Sequence, residues 1–407
     1  VTAAGASGGP SVSLVIPTRG RPAHLARLLG ALRFQTLRSF EVIVVGDSDP
    51  GPAARPFPLR YLPLSEANVS RARNMGVMAA AAPLVAFIDD DSVPEFGWLQ
   101  HLVPALASPR VGSACGYVRG RNGIAFESRV RLFDRHGNDS DSVLAGNGVA
   151  ILPPSPSQCL KTPGTNCAFR RSALAAAGGF DESFPYFMDE TDLNLRLAKA
   201  GWMAAVAPKA EVHHAAAASA LRSSRRVPLS LYEIGAGHAL FLKKHAPDED
   251  HAGPLAAVRR AQTRRLHRLF GLGLIEEGPL RAVLATLENG FADGAARAPQ
   301  PGLDGLSVLD KAVAHEIRPN PAQVLASGLA SRWRRRAEAA AAAAQGQAVT
   351  LVESRLDASP SQVVWDDAGY WRHRSGRFRY RQGAAVTPQS ELARIGACRY
   401  PDAAPVD

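Results

Sequence analysis

Leu84-Val85-Ala86-Phe87-Ile88-Asp89-Asp90-Asp91-Ser92-Val93-Pro94 carries an apolar run straight into three adjacent carboxylates. The apolar part has the length and bounds of a buried strand. Three neighbouring acids repel one another, so a strand that ends on them is expected to supply a cation there. Oxygen ligands on a short loop suit a hard divalent ion, Mn²⁺ or Mg²⁺, which would in turn hold a diphosphate. A solvated acidic turn is the other reading of these residues alone, and the surrounding chain has to decide.

Upstream, Ser11–Thr18 reads as a buried strand, followed by helical spacing of Leu25, Leu28, Leu29 and Leu32. Phe40–Val45 is a second strand ending in the turn-rich Gly46-Asp47-Ser48-Asp49-Pro50. A short strand at Arg60–Leu64 and a helix around Val69–Ala80 lead to the strand that carries the aspartates. Strands alternating with helices argue for an α/β fold with a mostly parallel sheet, whose ligands sit at the carboxyl ends of the strands. Every polar cluster so far lies at such an end.

The 407 residues are 46% hydrophobic and 21% charged, the composition of a globular protein with room for two domains. No apolar stretch approaches the length of a membrane span. Val1–Pro10 is a small-residue tail, expected to be flexible, without the basic and apolar segments of a signal peptide. Cys115, Cys159, Cys167 and Cys398 form no CxxC pair, which fits a reduced cytoplasmic setting. A net charge of +10 favours anionic partners. No aromatic-interleaved basic module points to nucleic acid.

Seven motifs occur in order: Val15-Ile16-Pro17-Thr18; Glu41–Asp47; Ser70-Arg71-Ala72-Arg73-Asn74-Met75-Gly76; Phe87–Asp91; Asn166–Arg171; Gly178-Gly179-Phe180-Asp181-Glu182; and Asp189-Glu190-Thr191-Asp192-Leu193. Together they resemble the family 2 inverting glycosyltransferases of the GT-A fold, over residues 11–215. The resemblance implies a Rossmann-like sheet flanked by helices over residues 11–245, followed by a helical region with a few strands over 246–407. It also implies a nucleotide-sugar donor, bound by Pro17, Thr18, Arg19, Asp47, Arg71, Arg73, Asn74, Asp89, Asp90 and Asn166. An Asp47 carboxylate can accept a uracil N–H, which favours a UDP-sugar. The family's second acid before this position is Gly46 here.

By the same resemblance Asp91 is the principal metal ligand and Asp89 a ribose or metal contact, with Asp90 available to either role. His213 and His214 fall where relatives place a histidine near the metal or diphosphate, and the sequence does not say which faces inward. Thr165, Arg170 and Asp192 fall on the implied acceptor side. The family's base is an Asp in a Glu-Asp-x-Asp motif. Here the first two acids are exchanged, so Glu190 takes the base position and Asp189 is the second candidate. The implied acceptor is a glycan, lipid-linked or protein hydroxyl, in building a surface polysaccharide, lipopolysaccharide or glycoprotein. A nucleotidyltransferase or a non-catalytic glycan-binding protein of the same fold stays open as an alternative.

Beyond residue 228 the pattern is mainly helical, with Leu266, Leu269, Leu272 and Leu274 among basic residues and a linker expected at Pro299–Gly302. Arg332–Ala344 reads as a basic, alanine-rich helix, a candidate for peripheral membrane contact through Trp333. Gly369–Arg374 and Arg377–Tyr380 interleave aromatic and basic residues, a pattern of either a glycan contact or an ordinary hairpin.

Overall fold

The computed structural model describes residues 11–51, 55–142, 146, 148–303, 315–316, 320–327, 330–354, 361–375, 380–381 and 384–385. The expected tail Val1–Pro10, the segment Arg377-Phe378-Arg379 and Cys398 lie outside the described residues.

The N-terminal half runs β1 (Val12–Thr18), α1 (Pro22–Leu32), β2 (Ser39–Gly46), β3 (Arg60–Pro63), α2 (Val69–Ala79), β4 (Leu84–Phe87) and β5 (Ser92–Pro94). It continues with α3 (Trp98–Leu102), β6 (Val111–Arg119), β7 (Phe126–Ser128), β8 (Val130–Asp134), β9 (Asp139–Ser142), β10 (Ala150–Leu152) and β11 (Gln158–Leu160). Then come β12 (Cys167–Arg170), α4 (Arg171–Ala176), α5 (Asp189–Lys199) and β13 (Met203–His214). The main sheet has the order β10-β13-β6-β12-β4-β1-β2, with β3 beside β2. β3, β2, β1 and β4 are mutually parallel, as are β6 and β13, and β12 runs antiparallel between β4 and β6. The sheet is therefore mixed.

β1 is buried at every position but Pro17 because both faces are covered, the usual reason that parallel strands read as near-continuous apolar runs. Its alternation still sorts side chains. Leu14 and Ile16 pack with Leu25, Leu28 and Trp98 of α1 and α3, while Val15 packs with Val77 of α2 and Leu193 of α5. Gly76 permits that second packing: a Cβ there would lie 2.3 Å from a Val15 methyl. Pro22 starts α1, and the Asn68 side chain caps α2 by accepting from the Arg71 amide at 3.0 Å.

The rest of the chain folds as α6 (Tyr232–His245), α7 (Ala252–Gly271), α8 (Glu277–Ala296), β14 (His315–Glu316), β15 (Asn320–Ser327), α9 (Arg332–Ala344), β16 (Gln347–Ser354), β17 (Gln362–Asp366) and β18 (Tyr370–Ser375). Residue 245 is no break in packing. Gly290 and Gly294 bring α8 onto α6 so closely that a Cβ at either would fall 2.1 Å from an α6 carbonyl. The expected linker is also packed: the Gln300 amide donates to Asp181 at 2.8 Å, and Leu303 is buried in the core beneath α2. Leu266 and Leu269 are core residues, whereas Leu272 is exposed. The sheet β15-β16-β18-β17 buries Trp371 against His213, with ring centroids 4.4 Å apart. That burial makes Trp371 a packing residue, not a sugar platform. Trp333 on α9 is 74% exposed.

Among the described residues no helix is long and apolar enough to cross a membrane. His238 of α6 packs on Phe187, with centroids 5.4 Å apart; burial, with a smaller contribution from Lys161, holds its pKa down at about 4. It is neutral in the fold, so below pH ~6.5 the unfolded chain takes up a proton that the folded one refuses. Stability should therefore fall by roughly 2–3 kcal/mol between pH 7 and pH 4.5 from this group. Denaturant titrations at the two pH values should show His238→Gln narrowing the gap by about that amount; an unchanged gap would contradict it.

Candidate active site

The carboxyl ends of β1, β2, β4, β6 and β13 meet along one edge of the sheet, around a cavity of about 880 Å³. One end of it is lined by Pro17, Thr18, Arg19 and Asp47, which follow β1 and β2. The Asp47 carboxylate accepts the Gly20 amide at 3.0 Å, and the Arg19 guanidinium donates to the Ser65 carbonyl. Gly46 pairs with Thr18 across the parallel strands, and a Cβ on it would lie 2.1 Å from the Thr18 carbonyl oxygen. The missing acid at this position is a consequence of that close approach.

Asp89, Asp90 and Asp91 turn three ways as the chain leaves β4. Asp90 is buried inward, accepting from the Thr18 hydroxyl at 2.7 Å and pairing with Arg21 at 2.7 Å. Burial, against the pull of Arg21, pushes its pKa up to about 7. Asp91 collects Arg21 at 2.9 Å, the Ala217 amide at 2.8 Å, Arg222 at 3.3 Å and His214 at 3.4 Å. Burial opposes its charge, but these partners outweigh burial and hold the carboxyl far below its usual range. His214 also reaches Glu127 at 3.2 Å; burial disfavours its charge, yet the two carboxylates raise its pKa to about 9.

Asp89, Asp91 and His214 each bring one ligand atom within 4.8 Å of the others. Two carboxylates and an imidazole are a donor set that fits Mn²⁺ or Mg²⁺. Glu95, Glu211 and His213 form a second, fully buried group of acids and imidazole. There Arg119 grips Glu211 at 2.5 and 2.8 Å, and His213 pairs with Glu95 at 2.8 Å. Arg119 thus ties β6 to Glu211 of β13, and His213 holds Glu95, which follows β5, against β13.

The opposite wall is the first turn of α5. Arg73 of α2 meets Asp89 at 3.6 Å, Glu190 at 2.6 Å and Asp189 in close contact. Its guanidinium lies over the rings of Phe180 and Phe87, 5.4 and 5.8 Å from their centroids. Two acids share one arginine, and they titrate apart. Burial and the neighbouring Glu190 charge hold Asp189 well above the usual carboxylate range. For Glu190 burial acts in the same direction, but Arg73 and a hydrogen bond with Asp189 outweigh it and lower its pKa. Asp189 keeps the proton and Glu190 the charge. Only Glu190 of the pair lines the cavity. Gly164 lets the preceding loop close on it, since a Cβ there would sit 1.7 Å from a Glu190 oxygen.

Residues 13–177 match the family model for Glycosyl transferase family 2. Over that segment the chain is similar to the family 2 glycosyltransferases. It is 31% identical over 224 residues to the Pre-mycofactocin glycosyltransferase of Mycobacterium tuberculosis, covering 51% of this chain and 43% of that protein. It is 28% identical over 229 residues to the N-acetylglucosaminyl-diphospho-decaprenol L-rhamnosyltransferase of the same organism, covering 47% of this chain and 71% of that protein. The chain thus spans less than half the length of the first relative. Among solved structures, the mannosyltransferase PcManGT from Pyrobaculum calidifontis, in complex with GDP-Man and Mn²⁺, is similar with a TM-score of 0.40 at 18% identity, covering 71% of this chain and 86% of that one.

Pro17, Thr18, Arg19, Asp47, Arg73, Asp89, Asp91, Thr165, Glu190 and His214 line the common cavity. Several other expected site residues do not. Asn166 is fully buried: its oxygen accepts from Trp98 at 2.8 Å, and its nitrogen donates to the Tyr117 and Ala210 carbonyls at 2.9 and 2.8 Å. Its amide satisfies carbonyls beside the irregular register of β6 and β13, with no group left for a donor. Asn74 clasps the backbone of Phe180, accepting and donating at 2.9 Å. Arg71 does not line the cavity and pairs with Glu66, which does, at 2.5 Å.

The expected acceptor residues Arg170 and Asp192 also lie elsewhere. β12 runs antiparallel, so its start borders the site and its end, Arg170, lies at the far edge opposite Leu84. There Arg170 binds the Leu106 and Ser108 carbonyls at 2.5 and 2.9 Å. Asp192 is two residues past Glu190, 200° around the helix. It pairs instead with Arg196, Lys244 and His245, tying α5 to α6. His213 faces away from Asp91 because successive strand residues point to opposite faces. Sequence reasoning missed Arg21 and Glu127, whose partners are distant in sequence, and Gly164, whose role is the absence of a side chain.

Proposed function

We propose that the chain is a metal-dependent inverting glycosyltransferase moving a sugar from a nucleotide-diphosphate donor, UDP-linked, to an acceptor hydroxyl. One observation carries this reading: an ionised carboxylate, Glu190, shares a cavity with the Asp89, Asp91 and His214 cluster. Asp47 and Thr18 take the nucleoside end, with Asp47 accepting a uracil N–H. Asp89, Asp91 and His214 would hold Mn²⁺ or Mg²⁺, which supplies charge neutralisation for the departing nucleoside diphosphate. Glu190 accepts the acceptor hydroxyl's proton as the oxygen attacks the anomeric carbon from the face opposite the leaving group. Arg73 orients that carboxylate, and protonated Asp189 keeps the charge on Glu190.

A single displacement needs no enzyme nucleophile. Cys167, the thiol beside this group, fits that scheme, because burial pushes its pKa well above the ordinary range. Incubating the protein with a panel of nucleotide sugars and simple hydroxyl acceptors, with and without Mn²⁺, tests the reading. Transfer or slow donor hydrolysis with one UDP-sugar, dependent on Mn²⁺, is expected. Turnover indifferent to chelation would overturn the metal part, and release of inorganic pyrophosphate from a nucleoside triphosphate and a sugar 1-phosphate, supplied in a parallel incubation, would favour a nucleotidyltransferase.

A further inference from the structure

The main cavity continues past Tyr186, Phe187, Leu221, Arg222 and Glu233 into a smaller chamber of about 160 Å³. All five residues line both spaces. The chamber adds Pro228, Ser230, Ile234 and Arg265, and Arg265 borders only this outer space. Asp47, Glu190 and His214 line the main cavity and not this chamber.

Its charges do not balance. Glu233, the acid in its wall, is held by Arg297 at 3.0 and 3.2 Å. Arg226 is paired with Glu127 at 2.6 Å, and Arg222 leans on Asp91. Arg265 has only a 3.5 Å contact to the Gln262 side chain, and among the described residues no carboxylate pairs with it. Arg265 stands exposed at the mouth of the chamber, where partial desolvation and the like charges of Arg226, Arg268 and Arg222, against the opposing pull of Tyr186, hold its pKa below the ordinary arginine value. A guanidinium at the mouth of a half-apolar chamber, with cations and no carboxylate acting on it, is stabilised by an arriving anion. Phe187, Leu221, Pro228 and Ile234 supply the apolar walls.

We propose that this chamber is an acceptor subsite for an anionic group, a phosphate or carboxylate attached to an apolar or aromatic body, with Arg265 as its principal ligand and Arg222 at the junction. This assignment rests on the donor-and-base reading above. It specifies the acceptor as an acidic amphiphile, not a neutral sugar.

Calorimetry on the full chain tests it, using phenyl phosphate, phenylacetate and neutral benzyl alcohol, each titrated with and without saturating UDP and Mn²⁺. At least one anionic probe should bind the UDP-loaded protein, and benzyl alcohol should bind at least about tenfold more weakly. Arg265→Gln should weaken the anionic probe by about tenfold or more, Arg265→Lys by less, and both should leave UDP affinity unchanged. Which anion binds tells phosphate from carboxylate. Equal affinity for the neutral probe, or an unchanged Arg265→Gln, overturns the subsite. So does displacement of the probe by UDP, or weaker UDP binding in Arg265→Gln, because the anion would then be the donor's diphosphate. Failure of the parent protein to bind UDP would instead sink the donor reading, and the acceptor assignment with it.

Discussion

Glu190→Gln should lower transfer by about a thousandfold while donor affinity stays nearly unchanged. The substitution keeps shape and hydrogen bonding but removes the lone pair that accepts the proton, a contribution typically of ~10²–10⁴ in rate. It also removes the charge that keeps Asp189 neutral. Asp189 is then expected to ionise against Arg73, but it stays behind Glu190 and outside the cavity, so it does not take over. Asp189→Asn should be mild, within about tenfold, because an amide mimics the protonated acid already present. Glu190→Asp restores the familiar residue type yet shortens the reach by one methylene from a backbone that Gly164 has fitted to Glu. Its rate should fall as well. Single-turnover rates and UDP binding for the three variants decide the assignment: a fully active Glu190→Gln beside an inactive Asp189→Asn would move the base role to Asp189.

Loss of Asp91 should abolish the metal-dependent part of nucleotide binding. Asp91→Asn keeps the hydrogen bond from Ala217 but removes the charge that faces Arg21, Arg222 and His214. A cation meeting one fewer carboxylate should lose affinity by at least ~100-fold, since outer partners of metal ligands alone are worth ~10–100-fold. UDP should still bind weakly without Mn²⁺, drawn by the uncompensated cations. Calorimetry with UDP in the presence of Mn²⁺ and in its absence separates the two contributions. Undiminished Mn²⁺ enhancement in Asp91→Asn would remove Asp91 from the metal site. Heat denaturation of the same variant serves as the folding control.

The sequence by itself determined the sheet's central strands, because a parallel strand covered on both faces reads as a near-continuous apolar run, as Leu14–Ile16, Val42–Val45 and Leu84–Ile88 do. It also placed Asp47, Asp89 and Asp91 on one edge, since strand ends in an alternating α/β pattern converge there. Tertiary structure alone decided orientation and use. His213 and His214 are chemically identical neighbours, and only the register of β13 against β5 and β6 turns one to Asp91 and the other to Glu95 and Trp371. Asn166 and Arg170 sit in a family-like motif, but β12 runs antiparallel, so one is sealed beneath Trp98 and the other carried to the far edge. The division of labour between Asp189 and Glu190 depends on Arg73, more than a hundred residues away, and on the burial that allows one charge there but not two. Local pattern reports which residues are apolar, acidic or small; direction, burial and partner are properties of the packed chain.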